Sequence, residues 1–540
     1  MIRVSQIKLG IDEQQELLPQ KMAKKLKIKA SDIVSYSIFK QSIDARFKGR
    51  IDFVYTVDVK TTQDETQLLA KKLPDVSKTP DFAYQLPVAG VRACTKRPVI
   101  IGFGPAGIFA ALILAQAGYQ PIVLERGEAV DSRVKSVDEF WNAGILNTES
   151  NALFGEGGAG TFSDGKLTTR VKDLRGRKVL EALVAAGAPE NILYEAHPHV
   201  GTDRLRDVIK RIREKITALG AEVRFNTCVT DFLIEDGAIR GVKTKAGQTI
   251  NTPHVILAVG HSARDVFETL LARQVALEAK PFAVGVRIEH PQALIDRDQY
   301  KEFAGHPRLG AASYRLTHKA SSGRGVYTFC MCPGGVVVPS ASAAGYLVTN
   351  GMSYHARDGA NANSALIVTV TPDDFASSSP LAGIKFQKVL EEKAFELGGS
   401  NYKAPVQLVG DFLENRASKG LGEVMPTYFL GVKLANLNEL FPPYISDALK
   451  EGIMALDQKL KGFAMDDAVL TAVESRTSSP IRVVRDGQTC ASVSTKGLYP
   501  AGEGSGYAGG IVSAAIDGIK CAEALMRQCE GANVACEIKQ

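Results

Sequence analysis

The sequence lacks long apolar runs, an apolar leader and a regular cysteine framework. No stretch of about 18 consecutive apolar residues occurs, which argues against a membrane-spanning helix and a membrane partner. Polar and charged residues are spread through Met1–Gly10, so no secretory signal is expected. The eight cysteines follow no spacing typical of disulfide-rich secreted domains. Together these absences predict a soluble, cytoplasmic protein.

Several catalytic signatures are missing as well. The eight histidines form no H-E-x-x-H pair, and the chain has neither a G-x-S-x-G nucleophile turn nor a Walker loop. These absences argue against zinc proteases, serine esterases of the α/β-hydrolase type and P-loop nucleotide hydrolases. His197 and His199 lie close in sequence, but no third ligand is suitably spaced. No metal site is therefore expected.

Charge is nearly balanced, and most of the excess lies at one end. The formal net charge is +6 over 540 residues. Residues 1–92 hold 16 Lys and Arg against 11 Asp and Glu, a difference of +5. An excess of this size usually describes a solvated surface, and no clustered aromatics accompany these lysines. Nucleic acid is therefore not an expected partner, although an RNA-binding role of this basic segment stays open as an alternative.

The strongest positive signal is a glycine-rich turn after an apolar strand. Pro98–Ile101 is typical of a buried parallel strand, and Gly102-Phe-Gly-Pro-Ala-Gly107 follows it as G-x-G-x-x-G. A helical pattern then runs to about Ala117, and a second apolar run ends in Glu125, 23 positions after Gly102. In a dinucleotide site the glycines permit a tight turn and close backbone approach. The helix N-terminus faces the phosphates, and the acid accepts hydrogen bonds from a ribose.

Two further glycine-rich segments extend this signal. Phe154–Lys166 has four glycines in the six positions from Gly155 to Gly160, with polar residues directly after them. Ordering such a loop costs much backbone entropy, which is usual where the backbone must press against a ligand. Near the far end, Gly497–Glu503 and Gly504–Gly510 precede a helical pattern. Early and late glycine turns fit FAD better than NAD, because a late helix N-terminus would stabilise negative charge on reduced flavin.

The order of predicted elements gives the domain organisation and the fold class. Residues 1–90 follow a β-α-β-β-α order and predict a small N-terminal α+β domain, with Lys78–Asp81 and Pro87–Thr95 as the linker. Residues 91–280 and 463–540 predict the two parts of an FAD-binding domain. Residues 281–462, with mixed strands and helices, predict an inserted substrate or cap domain. The fold class is α/β: a Rossmann-like FAD-binding domain with an inserted mixed α/β cap domain.

These segments carry a family resemblance. Gly102–Gly107, Leu124–Arg126, Phe154–Lys166, Ala258–Gly260 and Tyr499–Gly510 resemble the glutathione-reductase-type FAD/NAD(P)-binding superfamily. From about Arg92 onward the chain more closely resembles a bacterial FAD-dependent dehydrogenase family. Further marks of that family are Thr349–Ser353, Asn361–Ser364 and Glu474–Pro480.

The chain departs from the disulfide reductases of that superfamily. It has neither a second G-x-G-x-x-G for NAD(P)H nor a cysteine pair soon after the first acid. NAD(P)H could act as a transient reductant, but no dedicated site for it can be named.

The residues and the resemblance together give a set of predicted FAD contacts. By resemblance, Cys228 and Val229 should meet the adenine through their backbone. The predicted FAD-binding residues are Gly102, Gly104, Pro105, Ala106, Gly107, Glu125, Arg126, Arg133, Gly157, Gly158, Gly160, Thr161, Asp164, Lys166, Cys228, Val229, Ala258, Gly260, Gly502, Glu503, Gly509, Gly510 and Ile511.

Candidates for catalysis are fewer. Lys166 and Arg476 adjoin flavin-facing segments, and either could stabilise negative charge on reduced flavin or an anionic substrate. A phosphate contact or a structural ion pair is the alternative for each. Cys330 and Cys332 form C-x-C on a predicted strand, where alternate residues share a face and a disulfide would be strained. Buried structural thiols are the favoured interpretation of this pair.

The leading hypothesis is an FAD-dependent oxidoreductase, a dehydrogenase or reductase. It would transfer a hydride between flavin N5 and a small-molecule substrate held by the cap domain. Two alternatives are an RNA-modifying flavoprotein with a basic N-terminal RNA-binding module and a flavin-binding protein without turnover. The sequence does not identify the substrate.

Overall fold

The structure, a computed structural model, describes residues 1–47, 49–87, 94, 96–169 and 171–529. The strands are β1 (Ile2–Gly10), β2 (Ile33–Phe47), β3 (Arg50–Thr61), β4 (Val76–Lys78), β5 (Val99–Ile101), β6 (Ile122–Leu124), β7 (Glu222–Arg224), β8 (Val229–Glu235), β9 (Ala238–Thr244), β10 (Thr249–Asn251), β11 (Val255–Leu257), β12 (Leu277–Ala279), β13 (Phe282–Pro291), β14 (Thr317–Lys319), β15 (Gly325–Cys332), β16 (Val336–Pro339), β17 (Thr349–Met352), β18 (Asn361–Val370), β19 (Ala404–Leu408), β20 (Val432–Leu434), β21 (Val469–Glu474), β22 (Ile481–Val483) and β23 (Leu498–Pro500).

The α-helices connect these strands and cover the larger sheets. They are α1 (Leu18–Leu26), α2 (Glu65–Ala70), α3 (Pro105–Gln116), α4 (Val130–Ala143), α5 (Arg175–Ala185), α6 (Thr202–Ala218), α7 (Arg264–Ala272), α8 (Gln292–Tyr300), α9 (Ala382–Leu397), α10 (Val409–Leu413), α11 (Pro443–Asp457) and α12 (Ile511–Cys529). Within the described residues, no helix has the length and apolar character needed to cross a membrane.

The N-terminal sheet has the strand order β2-β3-β1-β4, with antiparallel neighbours. Alternate apolar residues of β1 and β3 form its core together with Leu18, Met22 and Leu26 of α1. The short strand β4 extends beyond the predicted β-α-β-β-α order. Of the predicted linker, Lys78 belongs to β4, whereas most of Pro87–Thr95 lies outside the described residues, as does the predicted domain boundary at residue 90.

The second sheet is parallel, in the order β23-β11-β5-β6-β7. Its central strand β5 is fully buried, as expected for a parallel strand covered on both faces. Helix α3 is buried on almost every side, and Gly518 of α12 packs directly against the Ala106 backbone. Because parallel strands end at the same sheet edge, the loops after β5, β6, β11 and β23 lie close together.

The largest sheet has the order β14-β15-β18-β13-β21-β19-β20, and its neighbours are antiparallel except for β19 and β20. Apolar side chains of β13, β18 and β21 pack with α9 and α11 in one core. Strand β21 spans Val469–Glu474, so this sheet extends past the predicted domain boundary at residue 462. From Glu474 the chain runs directly into the segment that returns to the parallel sheet.

Strand β15 contains a bulge at its end. Its register with β18 shifts between Phe329 and Cys332, and Cys330 has a φ of 43° in the left-handed region. A bulge reorients side chains locally and occurs often beside functional sites. Cys330 is exposed whereas Cys332 is buried, so the two thiols do not share one environment. The prediction that both are buried structural thiols is therefore wrong for Cys330.

One disulfide bond joins Cys94 to Cys529 across 435 sequence positions. Cys94 lies between β4 and β5, and Cys529 is the last residue of α12. No spacing in the sequence indicated this bond, because its partners meet only when the parallel sheet and its last helix are assembled.

Candidate functional site

A cavity of about 1230 Å³ lies between the parallel sheet and the largest sheet. One part of its wall consists of the glycine-rich loops that follow β5, β6, β11 and β23. Another part comes from the ends of β15, β17 and β21. The cavity is therefore shared by the two sheets, at the point where loops of the parallel sheet converge.

The loop after β5 depends on two glycines. Gly102 has a φ of 95°, and a Cβ there would lie 2.4 Å from the carbonyl oxygen of Ala258. A Cβ on Gly107 would lie 2.0 Å from the carbonyl oxygen of Gly102, so this glycine lets α3 pack against the turn. Gly104 and Pro105 at the start of α3 line the cavity. The free N–H groups and partial positive charge of this helix N-terminus are suited to an anion.

Glu125, directly after β6, binds the backbone of this loop through its carboxylate. It is only 4% exposed, and its carboxylate accepts hydrogen bonds from the backbone N–H groups of Phe103 (2.7 Å), Gly127 (2.9 Å) and Gly155 (3.0 Å). Glu125 also lines the cavity. A carboxylate accepts about four hydrogen bonds, so one position remains for a ligand hydroxyl.

The glycine-rich loop of residues 155–160 lies against the first turn. Gly158 has a φ of 61°, and a Cβ there would lie 3.0 Å from the Cα of Gly104. Gly155 has a φ of 115°, and its Cβ would lie 2.4 Å from the Cδ of Arg133. Glycine at position 158 lets the two backbone segments approach each other directly, and glycine at position 155 makes room for the Arg133 side chain.

The segment before α12 completes this side of the cavity. Gly502 donates its N–H to Asp517 (2.7 Å), and Asp517 pairs with Arg485 (2.5 Å). Glu503 lines the cavity and has no hydrogen-bond partner for its carboxylate among the described residues. Burial raises its pKa to about 7, although Lys280 nearby opposes the shift. The N-terminus of α12, at Gly510 and Ile511, also faces the cavity.

Most of the predicted FAD-binding residues are brought together in this wall. Those lining it are Gly102, Gly104, Pro105, Ala106, Glu125, Arg126, Gly158, Gly160, Asp164, Lys166, Val229, Ala258, Gly260, Gly502, Glu503, Gly509, Gly510 and Ile511. The structure places five others behind it, namely Gly107, Arg133, Gly157, Thr161 and Cys228.

The residues behind the wall have structural contacts. Arg133 is fully buried and donates to the carbonyl oxygens of Asn151 (2.9 Å) and Glu156 (2.6 Å), which anchors the 155–160 loop. Thr161 donates its hydroxyl to the same Glu156 carbonyl (3.2 Å). A Cβ on Gly157 would lie 2.0 Å from the Thr161 hydroxyl oxygen. These residues shape the loop from within the protein.

The two predicted catalytic residues both line the cavity but have different partners. Lys166 lies 3.3 Å from Asp164 and donates to the carbonyl oxygen of Met331, at the β15 bulge. Arg476 is 8% exposed and binds both carboxylate oxygens of Glu391, at 2.9 and 2.7 Å. It also donates to two serine hydroxyls, so most of its donors are committed within the protein.

Glu391 is the centre of a buried charge cluster beside the cavity. Its side chain is fully buried and pairs with both Arg264 (2.7 Å) and Arg476 (2.7 Å). Although burial opposes ionisation, the two guanidinium groups lower the pKa of Glu391 to about 2. The cluster joins α7, α9 and the segment after β21, and it fixes the direction of Arg476.

The largest sheet contributes polar residues that the sequence analysis did not single out. Arg287, on β13, is fully buried; its Nε donates to Glu474 Oε2 (2.9 Å) and its guanidinium also binds Asn350 (3.1 Å). Glu474 lines the cavity, and no described residue bonds to its second oxygen, Oε1. Burial raises the pKa of Glu474, and Arg287 opposes that shift. The sequence analysis named Glu474 only as the first residue of the segment Glu474–Pro480, which is typical of the resembled family, and assigned it no role.

Cys330, Tyr314 and Arg315 complete this end of the cavity. The carbonyl oxygen of Cys330 accepts from Arg287 (3.0 Å), and desolvation by the surrounding cavity wall raises the pKa of its cavity-facing thiol to about 12. Tyr314 is 7% exposed, and the guanidinium of Arg315 has no ion pair or hydrogen bond among the described residues. The bulge and the strand pairing that gather these groups carry no sequence signal.

The cavity fits the dinucleotide that the sequence predicts. Gly104 and Gly158 line the cavity without side chains, as a pyrophosphate against backbone requires, and the N-termini of α3 and α12 both reach the wall. Glu125 and Glu503 retain acceptor positions for hydroxyl groups. These residues would hold FAD with its phosphates at α3 and its flavin toward α12.

Family models match two parts of the chain. Residues 281–477 match the family described as "FAD-dependent protein, C-terminal domain-like", and residues 1–60 match a domain of unknown function. A protein of Clostridium beijerinckii, described as uncharacterized, is 52% identical over 528 residues. The alignment covers 98% of this chain and 99% of that protein.

Solved structures show only weak overall likeness. A flavin-dependent brominase, Bmp2, is 13% identical with a TM-score of 0.36, and 81% of each chain is covered. A halogenase, PltM, in complex with FAD is 12% identical with a TM-score of 0.36, over 80% of this chain and 68% of that one. Glycine oxidase from Bacillus cereus is 11% identical with a TM-score of 0.32, over 80% and 97%. Likeness at this level says nothing about the reaction.

Proposed function

The chain belongs to the same family of FAD-dependent proteins as the Clostridium beijerinckii relative, with FAD as its cofactor, and from this premise we propose that it is a cytoplasmic oxidoreductase. The proposed reaction exchanges a hydride between flavin N5 and a small organic substrate. Within the FAD-binding proteins we place it in the glutathione-reductase-type superfamily, on the residues of its glycine-rich loops. NADH or NADPH is proposed as a transient reductant without a dedicated domain.

The observation that carries the proposal is the composition of the cavity between the parallel sheet and the largest sheet. Its volume of about 1230 Å³ exceeds the about 300–1,000 Å³ usual for one small-molecule site. One end is a glycine-rich wall suited to a dinucleotide, whereas the other end presents Cys330, Tyr314, Arg315 and Glu474. Tyr314 and Glu474 are buried there with uncommitted oxygen atoms, which is expensive unless a ligand or water meets them. We therefore place the substrate at this second end.

FAD, when bound, supplies a two-electron donor and acceptor. Glu474 is the proposed acceptor of the proton that a substrate hydroxyl or amino group loses on oxidation. Its Oε2 is fixed by Arg287, whereas Oε1 has no partner among the described residues, and the side chain lines the cavity. Lys166 and Arg315 present positive charge to an anionic substrate group. Arg476 lines the cavity, and its ion pair with Glu391 holds the segment after β21 in place.

The test is reduction of the bound flavin without oxygen. Purified protein, with its FAD confirmed by absorbance, is mixed anaerobically with NADH, with NADPH and with a panel of small hydroxy and amino acids. Rapid bleaching by at least one of these compounds supports the proposal. Protein that carries FAD but bleaches with none of them would contradict the oxidoreductase assignment.

A further inference from the structure

A second cluster of chemically active side chains lies away from the cavity. Cys94, His254 and Cys529 come from three distant parts of the chain: the segment before β5, the residue before β11 and the end of α12. The two sulfur atoms and one imidazole nitrogen all lie within 4.8 Å of one another. His254 Nε2 is 3.5 Å from the Cys529 sulfur. Two sulfurs and an imidazole nitrogen are the donor set that zinc prefers.

The spacing of two of these atoms suits a metal ion directly. Zn–S and Zn–N bonds of about 2.3 and 2.0–2.1 Å at a tetrahedral angle separate the two donors by about 3.6 Å. The 3.5 Å between His254 Nε2 and Cys529 Sγ is close to that separation. Cys94 lies outside any helix or strand, so its sulfur can adjust once it is no longer bonded to Cys529.

The backbone of His254 is held in place by the parallel sheet. The carbonyl oxygen of His254 accepts from the Val99 N–H (3.0 Å), and its ring lies 6.4 Å from the ring of Tyr499. His254 precedes β11 at the amino edge of the sheet, whereas Ala258 follows β11 and lines the cavity at the opposite edge. The cluster is therefore separate from the FAD site.

We propose that Cys94, His254 and Cys529 bind a thiophilic divalent cation of the zinc class when their disulfide is reduced. A dithiol exchanges with the Cys94–Cys529 bond, becoming a disulfide itself and leaving two cysteine thiols. Binding then displaces the two thiol protons, and water fills the fourth position. The disulfide and the metal complex are alternative states of one site, and each ties the segment before β5 to the end of α12.

The test uses the FAD-loaded full chain and zinc alone. Protein is reduced with dithiothreitol, stripped with a chelator and desalted without oxygen. Zinc is then titrated by calorimetry, and the zinc retained after gel filtration is measured by elemental analysis. We expect one zinc per reduced chain and none in protein kept oxidised. Reduced protein that retains no zinc would overturn the proposal.

Variants distinguish this site from other thiols. His254→Gln and Cys529→Ser should each weaken zinc binding by at least about tenfold. Cys490→Ser is the matched control, because Cys490 and Cys521 form another close thiol pair on the same side of α12. The assignment would be overturned if His254→Gln bound zinc as tightly as the wild type. It would also be overturned if Cys490→Ser lost zinc. If Cys529→Ser fails to retain FAD and is therefore misfolded, the zinc affinity of His254→Gln alone tests the proposed site.

Discussion

Replacing Gly102 by alanine should weaken FAD binding beyond the effect of backbone strain. Gly102 has a φ of 95°, and a side chain in the left-handed region costs about 1–2 kcal/mol. The new Cβ would also lie 2.4 Å from the Ala258 carbonyl oxygen. Carbon and oxygen atoms normally remain about 1 Å farther apart, so the two loops must separate. Both loops line the cavity, and the cofactor would lose contact with one of them.

The expected size follows from the contact that is lost. A hydrogen bond to a charged group such as a phosphate is worth about 1.5–3 kcal/mol. Its loss corresponds to a rise of about 10- to 150-fold in the dissociation constant of FAD. The dissociation constant is measured by adding FAD to flavin-free protein and following the change in flavin fluorescence. Denaturant unfolding of the flavin-free protein gives the change in stability separately.

Gly118→Ala is the matched control. Gly118 follows the other end of α3 with a φ of 83°, but a Cβ there would meet no atom within 4 Å. It should lower the free energy of unfolding by about 1–2 kcal/mol and leave the affinity for FAD unchanged. If Gly102→Ala bound FAD as tightly as Gly118→Ala, the close approach of the two loops would not be a requirement of the FAD site.

Three other substitutions test the charged residues around the cavity. Glu474→Gln should retain FAD but slow flavin bleaching by a substrate at least about 100-fold in stopped-flow, since it cannot accept a proton; an unchanged rate would refute this. Glu503 has a raised pKa, so the folded state binds more protons and stability should fall as pH rises from 4.5 to about 7. The free energy of unfolding of flavin-free protein is measured across that pH range, and in Glu503→Gln its fall with rising pH should be smaller. An equal fall in Glu503→Gln and the wild type would contradict the assignment. Glu391→Gln leaves Arg264 and Arg476 unpaired and should cost about 3–5 kcal/mol in denaturant unfolding; a loss below about 1 kcal/mol would contradict this reasoning.

The glycine-rich wall could be predicted because its signal is local. Strand β5, the turn at Gly102–Gly107 and helix α3 are consecutive, and each residue type has a backbone reason for its position. Arg133 shows the limit of such reasoning. A charged residue beside a glycine-rich loop is equally compatible with binding a ligand or with holding the loop, and only its complete burial distinguishes the two.

The other end of the cavity could not be predicted in the same way. Arg287, Cys330 and Glu474 lie on three strands of the largest sheet, and Asn350 lies on β17, which pairs with β16 in a separate two-stranded sheet. These residues meet only when the strands of the two sheets are assembled. The β15 bulge removes the alternation from which the orientation of Cys330 was inferred. Long-range register and local irregularity of this kind leave no periodic pattern in a sequence.

The order of strands in the parallel sheet has a consequence for synthesis on the ribosome. Its central strand β5 appears early, but β23 and α12, which complete the cavity wall, are made after the whole of the largest sheet. The N-terminal sheet is contiguous in sequence and can fold while the remainder is still emerging. The part of the wall at α12 can therefore form only once the nascent chain has reached that helix, and until then the face of α3 that α12 covers stays without its partner.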